Sequence, residues 1–208
     1  MSFLVALGFS LGLPFSSIDS TDVPPEVPLG KGVFLMANPA MRDPHFFHSV
    51  ILLMNYGEGG AWGLMLNKPT NYTPKEAISD LKGIDKLSHP LFRGGPVQQD
   101  RISILLYRDN PPDGAQRILD DVFLSLNKQT LSKALEEKTP DKKIRLYTGY
   151  TGWSPGQLER EIASGAWRIL RPDARMIFAE DPSKIWPMLL HRERKWMVIL
   201  PYSHHDLL

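Results

Sequence analysis

Eighteen prolines and sixteen glycines punctuate this 208-residue chain. From Gly32 onward they fall where apolar runs end, a pattern that permits many short elements and disfavours a few long ones. Val33 to Ala37 is a short apolar run that reads as a buried strand. Ser49 to Met54 is another, carrying Val50, Ile51, Leu52 and Leu53. Tyr56-Gly57-Glu58-Gly59-Gly60 interrupts the chain and Ala61 to Leu66 resumes it, so Ser49 to Leu66 reads as a hairpin with a longer glycine-containing loop. Asn67-Lys68-Pro69 stops the second strand.

Thr73-Pro74-Lys75-Glu76 has the form of a capping box, in which Thr73 accepts from the amide of Glu76 and Glu76 reaches back to that of Thr73. Pro74 takes the first helical position, where its missing N–H costs nothing. Ala77, Ile78 and Leu81 continue an apolar stripe up to Gly83. Leu91 and Phe92 lead into Arg93-Gly94-Gly95-Pro96-Val97, and a strand is expected over Ile102 to Tyr107. Asn110-Pro111-Pro112-Asp113-Gly114 is a turn. Ile118 to Leu124 reads as one strand, Leu131, Ala134 and Leu135 as a short helix, and Ile144 to Tyr147 as a half-buried strand. Ser154-Pro155-Gly156-Gln157 repeats the capping-box form, with Leu158 and Ile162 on one helix face and Gly165 as its stop. Met176 to Phe178 reads as a strand. Asp181 to His191 reads as a helix that Pro187 must kink or delay, and Val198 to Leu200 as an edge strand. Short strands joined partly by turns and partly by helices favour an α+β fold with a mixed sheet over a doubly wound parallel one.

Hydrophobic residues make up 42% of the chain and charged residues 23%, enough apolar material for one core and too balanced for disorder. Residues 32–208 are expected to form a single domain and residues 1–31 an extension. Within the extension, Phe3 to Leu13 is apolar but too short to span a bilayer. No Lys or Arg precedes it and no small-x-small cleavage site follows, which favours an extension over a signal peptide and a cytoplasmic location over export. Ser16 to Pro28 reads as a linker. No cysteine is present, which excludes disulfides, thiolate nucleophiles and thiolate-held metal or iron–sulfur centres. The formal net charge of +1 supplies no surplus of cations for tight nucleic-acid binding by the chain alone. The run His191 to Lys195 reads as a solvated face, and no helix-turn-helix pair with a basic recognition helix is visible.

Gly152-Trp153-Ser154-Pro155-Gly156 matches the G-x-S-x-G elbow of α/β-hydrolases literally. Pro155 argues against that chemistry, because the residue after the nucleophile must donate a backbone N–H to the oxyanion hole and proline has none. A Ser154 that caps a helix accounts for the same residues. His45 and His48, with Asp43, stand three apart on a non-helical segment, where odd spacing sends side chains to opposite faces and argues against a metal site. His204-His205 reads as solvated. Gly94-Gly95-Pro96-Val97 lacks both the phosphate-loop and dinucleotide spacings and reads as a tight turn or bulge. The tryptophans at 62, 153, 167, 186 and 196 are scattered, as core anchors are.

Three blocks in order carry a resemblance. They are Ala61-Trp62-Gly63-Leu64 with Asn67-Lys68-Pro69, then Gly94-Gly95-Pro96-Val97, then Gly149-Tyr150-Thr151-Gly152-Trp153-Ser154-Pro155-Gly156-Gln157-Leu158-Glu159 with Trp167. Asn38-Pro39 with Asp43 and Phe46 fits the opening strand. From about Gly32 to Trp186 the chain resembles the YqgE/AlgH family. The resemblance implies an α+β fold whose mixed, mainly antiparallel sheet curls into a pseudo-barrel with flanking short helices. It also implies a bacterial, largely uncharacterised protein with a transcriptional-regulator label. It carries over no catalytic residue and no cofactor. The chain departs from the pattern in its N-terminal extension, at Asn55-Tyr56 where a Glu-His pair is common, and after Trp186.

These readings favour a regulatory or adaptor protein acting through a protein partner or a small anionic ligand. The alternative is a hydrolase using Ser154 or a carboxylate such as Glu159. The candidate contact surface is Asn67, Lys68, Arg93, Gly94, Gly95, Gly149, Tyr150, Trp153, Gln157 and Glu159. Each block follows an apolar run, so the blocks are expected to gather where strands end and to form one site. The competing expectation is that they are structural turns, with Trp153 in the core and the glycines serving positive φ.

Overall fold

A computed structural model describes residues 27–199 except 139, 141 and 142. The apolar run Phe3 to Leu13, nearly all of the Ser16 to Pro28 linker, Leu200 and His204-His205 lie outside the described residues. Among the described residues nine strands form one sheet. They are β1 (Phe34–Ala37), β2 (Val50–Gly57), β3 (Gly60–Met65), β4 (Phe92–Arg93), β5 (Val97–Tyr107), β6 (Ala115–Leu119), β7 (Val122–Ser125), β8 (Ile144–Trp153) and β9 (Trp167–Leu170). The order is β6-β7-β5-β8-β3-β2-β1-β9, with β4 pairing β8 off this path. All pairings are antiparallel except β4 with β8. Among the described residues five α-helices accompany the sheet: α1 (Pro74–Ala77), α2 (Lys128–Leu135), α3 (Gln157–Ala163), α4 (Ala174–Ile177) and α5 (Ile185–Ile199).

Side-chain alternation sorts the strands into two faces. One cluster takes Phe34, Leu52, Leu64, Phe92, Leu105, Ile118, Val122, Tyr147 and Leu170, at least one residue from every strand. A sheet can bring all nine strands to one cluster only by curling round it. The segment leading into β1 accordingly reaches the β6 edge, where the Lys31 ammonium donates to the Arg117 carbonyl at 3.1 Å. The result is a half-barrel, plugged by Ile185, Trp186 and Leu189 of α5. The opposite face packs under helices: Leu131, Ala134 and Leu135 of α2 cover Ile104, Leu106, Ile144 and Leu146, and Leu158 of α3 covers Leu35, Ile51 and Leu53.

Several local expectations change. The β2–β3 loop is shorter than expected: Gly57 pairs with Gly60, leaving only Glu58-Gly59 between the strands. The capping box at Thr73 forms as read, but α1 ends after one turn because Ile78 leaves the helix to pack with Ile84 and Leu87. Ile118 to Leu124 is two strands, β6 and β7, turned at Asp120-Asp121. Met176 is helical, in an α4 capped by Asp173, whose Oδ1 accepts from the Arg175 amide at 3.0 Å. The edge strand expected from Val198 is overturned, since α5 runs to Ile199. Pro187 lies in the first turn of α5, where no intrahelical N–H is lost.

The second capping box is corrected too. Gly156 has φ 73° and ψ −4° and precedes α3, and the Gln157 amide donates to the Ser154 carbonyl at 3.0 Å. Pro at the second position and a left-handed Gly at the third make Ser154 to Gln157 a type II turn. Pro155 therefore stands outside the helix and Ser154 does not cap it. Only half of the box survives, as the Ser154 amide donates to Gln157 Oε1 at 3.1 Å.

Candidate functional site

β8 does not stop at Tyr147. It continues to Trp153, pairing Gly63 with Thr151 and Ala61 with Trp153 on β3, and Val97 with Tyr150 on β5. This extension brings the three blocks together backbone to backbone. The Gly94 amide donates to the Thr148 carbonyl at 2.8 Å, and the Gly94 carbonyl accepts from the Met65 amide at 2.9 Å. A Cβ on Gly95 would lie 2.1 Å from the Tyr150 carbonyl carbon, and one on Gly94 would lie 2.4 Å from the Gly149 oxygen. Gly94 and Gly95 are there because two backbones touch.

Apart from Gly94, Gly95 and Gly149, the seven candidate side chains fall into three groups. In the first, Asn67 follows β3 and is spent on structure: its Oδ1 accepts from the Val50 amide at 2.9 Å and its Nδ2 donates to the His48 carbonyl at 2.8 Å. That clamp helps hold His48 at φ 52°, an uncommon backbone for a residue with a Cβ. The His48 ring lies between Phe47, 3.6 Å away between centroids, and Trp186, 3.8 Å away. The Lys68 ammonium donates to the Phe47 carbonyl. Arg93 follows at once, its amide bonded to the Lys68 carbonyl at 2.8 Å.

Electrostatics in this group are one-sided. Burial pushes the Lys68 ammonium below the usual lysine range, and the Arg93 charge lowers it further. Burial lowers His48, with Lys68 as the second cause. Among the described residues, neither Lys68 nor Arg93 has a carboxylate within ion-pair distance. A half-buried lysine beside an exposed arginine, uncompensated by acid, is a place where an anion gains from both.

The second group is Tyr150, whose ring meets Trp62 edge to face at 5.8 Å. The third lies at α3. Trp153 is buried, and its indole donates to Glu161 at 2.8 Å. Trp167 donates to the same oxygen at 2.7 Å, and Gln157 to the other at 2.9 Å. Glu159 accepts from the Tyr56 hydroxyl at 2.8 Å. Glu161 was not legible as the hub, although its spacing of four from Gln157 places both on one helix face.

Nothing in the site prepares Ser154 for nucleophilic chemistry. Its hydroxyl makes no hydrogen bond among the described residues, so no base is positioned to take its proton. Asp43 Oδ1 accepts from the His45 amide at 2.8 Å, a turn contact. Among the described residues no three His, Asp or Glu side chains are grouped to hold a metal, and no helix is long and apolar enough to cross a membrane.

Comparison with known proteins gives consistent matches. Residues 34–196 match the family model described as AlgH-like. A UPF0301 protein of Chlorobaculum tepidum is 34% identical over 159 residues, covering 76% of this chain and 83% of that protein. A UPF0301 protein of Streptomyces avermitilis is 32% identical over 187 residues, covering 84% and 92%. Among solved structures, the AlgH protein from Pseudomonas aeruginosa matches with a TM-score of 0.66 at 25% identity, over 88% of this chain and all of that one. A protein from Corynebacterium diphtheriae matches with a TM-score of 0.71 at 21% identity, over 88% and 96%, a likeness of fold.

Proposed function

Because this chain belongs to the AlgH-like family, whose matched span contains every strand of the half-barrel, we propose that it is a regulatory or adaptor protein that recognises an anionic group through Lys68 and Arg93. The observation that carries this reading is the absence of any carboxylate partner for either cation among the described residues. Asn67, Gly94, Gly95 and Gly149 act in this reading as the frame that fixes the two cations. Tyr150, Gln157 and Glu159 remain candidates for wider contact with a partner protein, whereas Trp153 lies in the core with its indole given to Glu161. The location is cytoplasmic in this reading. The balanced charge of the chain argues against tight duplex DNA binding without a partner, so any regulation of transcription would run through another protein.

The test is a titration with inorganic phosphate, observing the Lys68 ammonium and the His48 ring by NMR. Saturable shifts of both should appear in the wild type, and that of the His48 ring should vanish in the Lys68→Ala/Arg93→Ala double variant, with thermal stability unchanged. An equal response from the double variant, or none from the wild type, would overturn the reading.

A further inference from the structure

A second cation is held in a different way, and nothing in the preceding reading uses it. Arg101 lies on β5 inside an irregular stretch: Val97 pairs with Tyr150 on β8, yet the next registered pair is Ile102 with Thr148. The surplus residues of β5 form a bulge, a device that re-aims side chains at the rims of barrels. Two features fix its shape. Gln98 sits at φ 46°, a strained position for a residue with a Cβ, and the Thr148 hydroxyl donates to the Gln99 carbonyl.

The bulge delivers the Arg101 guanidinium into the angle between two rings. Its central carbon is 5.0 Å from the Trp62 ring centroid and 5.3 Å from that of Tyr150, within the range of cation–π attraction. Both rings flank the guanidinium through its central carbon, and a guanidinium carries five N–H donors. Arg101 makes no hydrogen bond or ion pair among the described residues. It is half-buried and lines an open cleft of about 660 Å³, a size that suits a small organic molecule. The cleft is walled by Trp62, Gln116, Leu124, Leu126 and Lys128. Leu126 is 54% exposed there, an apolar surface beside the free guanidinium edge. The Lys128 ammonium is already engaged by Asp80 at 3.2 Å, so Arg101 is the cation that remains unspent.

We infer that this cleft is a binding site for a small organic carboxylate with an apolar body. The carboxylate takes the guanidinium fork in two parallel hydrogen bonds, a geometry that arginine offers and lysine does not. The apolar body lies against Trp62, Leu124 and Leu126. The rings orient the arginine in advance, so little of its rotamer freedom remains to be lost on binding.

The experiment is calorimetric titration of the whole protein with hexanoate, 1-hexanol and inorganic phosphate, each run on the wild type and on Arg101→Lys, Arg101→Gln and Lys68→Ala. In the Lys68→Ala background hexanoate should saturate one site and bind at least about tenfold more tightly than either hexanol or phosphate. Arg101→Lys, which keeps charge and stem, should lose that advantage, as should Arg101→Gln, with melting temperatures checked for both. Lys68→Ala should bind hexanoate as the wild type does, which separates this site from the Lys68–Arg93 cluster. Equal binding of hexanol would show that the arginine contributes nothing, and equal binding of phosphate to Lys68→Ala, where the Lys68–Arg93 cluster is disabled, would show that the apolar wall contributes nothing. Either result overturns the inference, as would unsaturable hexanoate binding, full binding by folded Arg101→Lys, or loss in Lys68→Ala.

Discussion

The Arg93 amide donates to the carbonyl of Lys68 at 2.8 Å, so two cationic side chains far apart in sequence leave the sheet from one hydrogen bond. The pairing continues as a bridge between Pro69 and Phe92. Burial lowers the Lys68 pKa, and the neighbouring Arg93 charge lowers it further. The fold tolerates the arrangement because Arg93 is exposed and the Phe47 carbonyl accepts from the lysine.

His48 gives this cluster a pH signature. Its folded-state pKa is lowered from the ordinary value near 6.5, by burial first and by Lys68 second. The unfolded chain thus binds the proton more readily than the native one. The contribution of His48 to stability is complete above about pH 6.5 and is lost as pH falls through the depressed folded value. An NMR titration of the ring should place its midpoint below 6.5. Lys68→Met should move the midpoint upward without restoring it fully, because burial remains. A wild-type midpoint at or above 6.5 contradicts this account.

Gly95 is expected to be among the least replaceable residues of the three blocks. A Cβ there meets Tyr150 backbone at 2.1 Å, and backbone in the middle of a paired strand cannot step aside as a flexible side chain can. Gly95→Ala should destabilise by at least about 2–3 kcal/mol through overpacking. Gly59→Ala, where a Cβ meets nothing within 4 Å, should cost far less. Urea denaturation of the two variants makes the comparison, and equal midpoints would refute the close-approach explanation.

Two similar tetrapeptides should respond differently to alanine. Thr73 accepts from the Glu76 amide and Glu76 returns a bond to the Thr73 amide at 2.7 Å, so Thr73→Ala should cost about 0.5–2 kcal/mol. Ser154 caps nothing and its turn is held by backbone, so Ser154→Ala should change stability by less than about 0.5 kcal/mol. A cost at Ser154 matching that at Thr73 would restore the capping reading in solution.

The contrast shows where local pattern could be read and where it misled. Thr-Pro-Lys-Glu and Ser-Pro-Gly-Gln satisfy the same spacing rule, but glycine at the third position prefers the left-handed turn and delays the helix by two residues. Proline followed by glycine was the signal that could have found it. The half-barrel came from resemblance, because its defining event, nine strands meeting one cluster, is non-local. The same holds for the site. Lys68 and Arg93 were legible as cations beside turns, whereas Arg101 was not, because only the bulge after Val97 carries it onto Trp62 and Tyr150.

The carboxylate of Glu161 joins parts of the structure that local pattern does not connect. The indoles of Trp153 on β8 and Trp167 on β9 both donate to its Oε2, at 2.8 and 2.7 Å, while Gln157 donates to Oε1 at 2.9 Å. Trp153 and Trp167 are 6% and 3% exposed, so water is a poor substitute acceptor for either N–H. Glu161→Ala strands both donors, and an unsatisfied buried donor costs about 1–3 kcal/mol, which places the expected loss at roughly 2–6 kcal/mol for the pair. Glu161→Gln keeps one carbonyl oxygen for the two indoles, and the Gln157 amide can flip to accept from the new NH2 at the expense of the bond its Oε1 takes from the Ser154 amide. It should therefore recover much of the loss. Guanidinium denaturation ranks the three proteins, and near-ultraviolet circular dichroism reports whether the edge-to-face pair of Trp153 and Trp167, 6.0 Å apart, keeps its geometry. If alanine and glutamine lose equally, the carboxylate acts through its charge and the hydrogen-bond account fails.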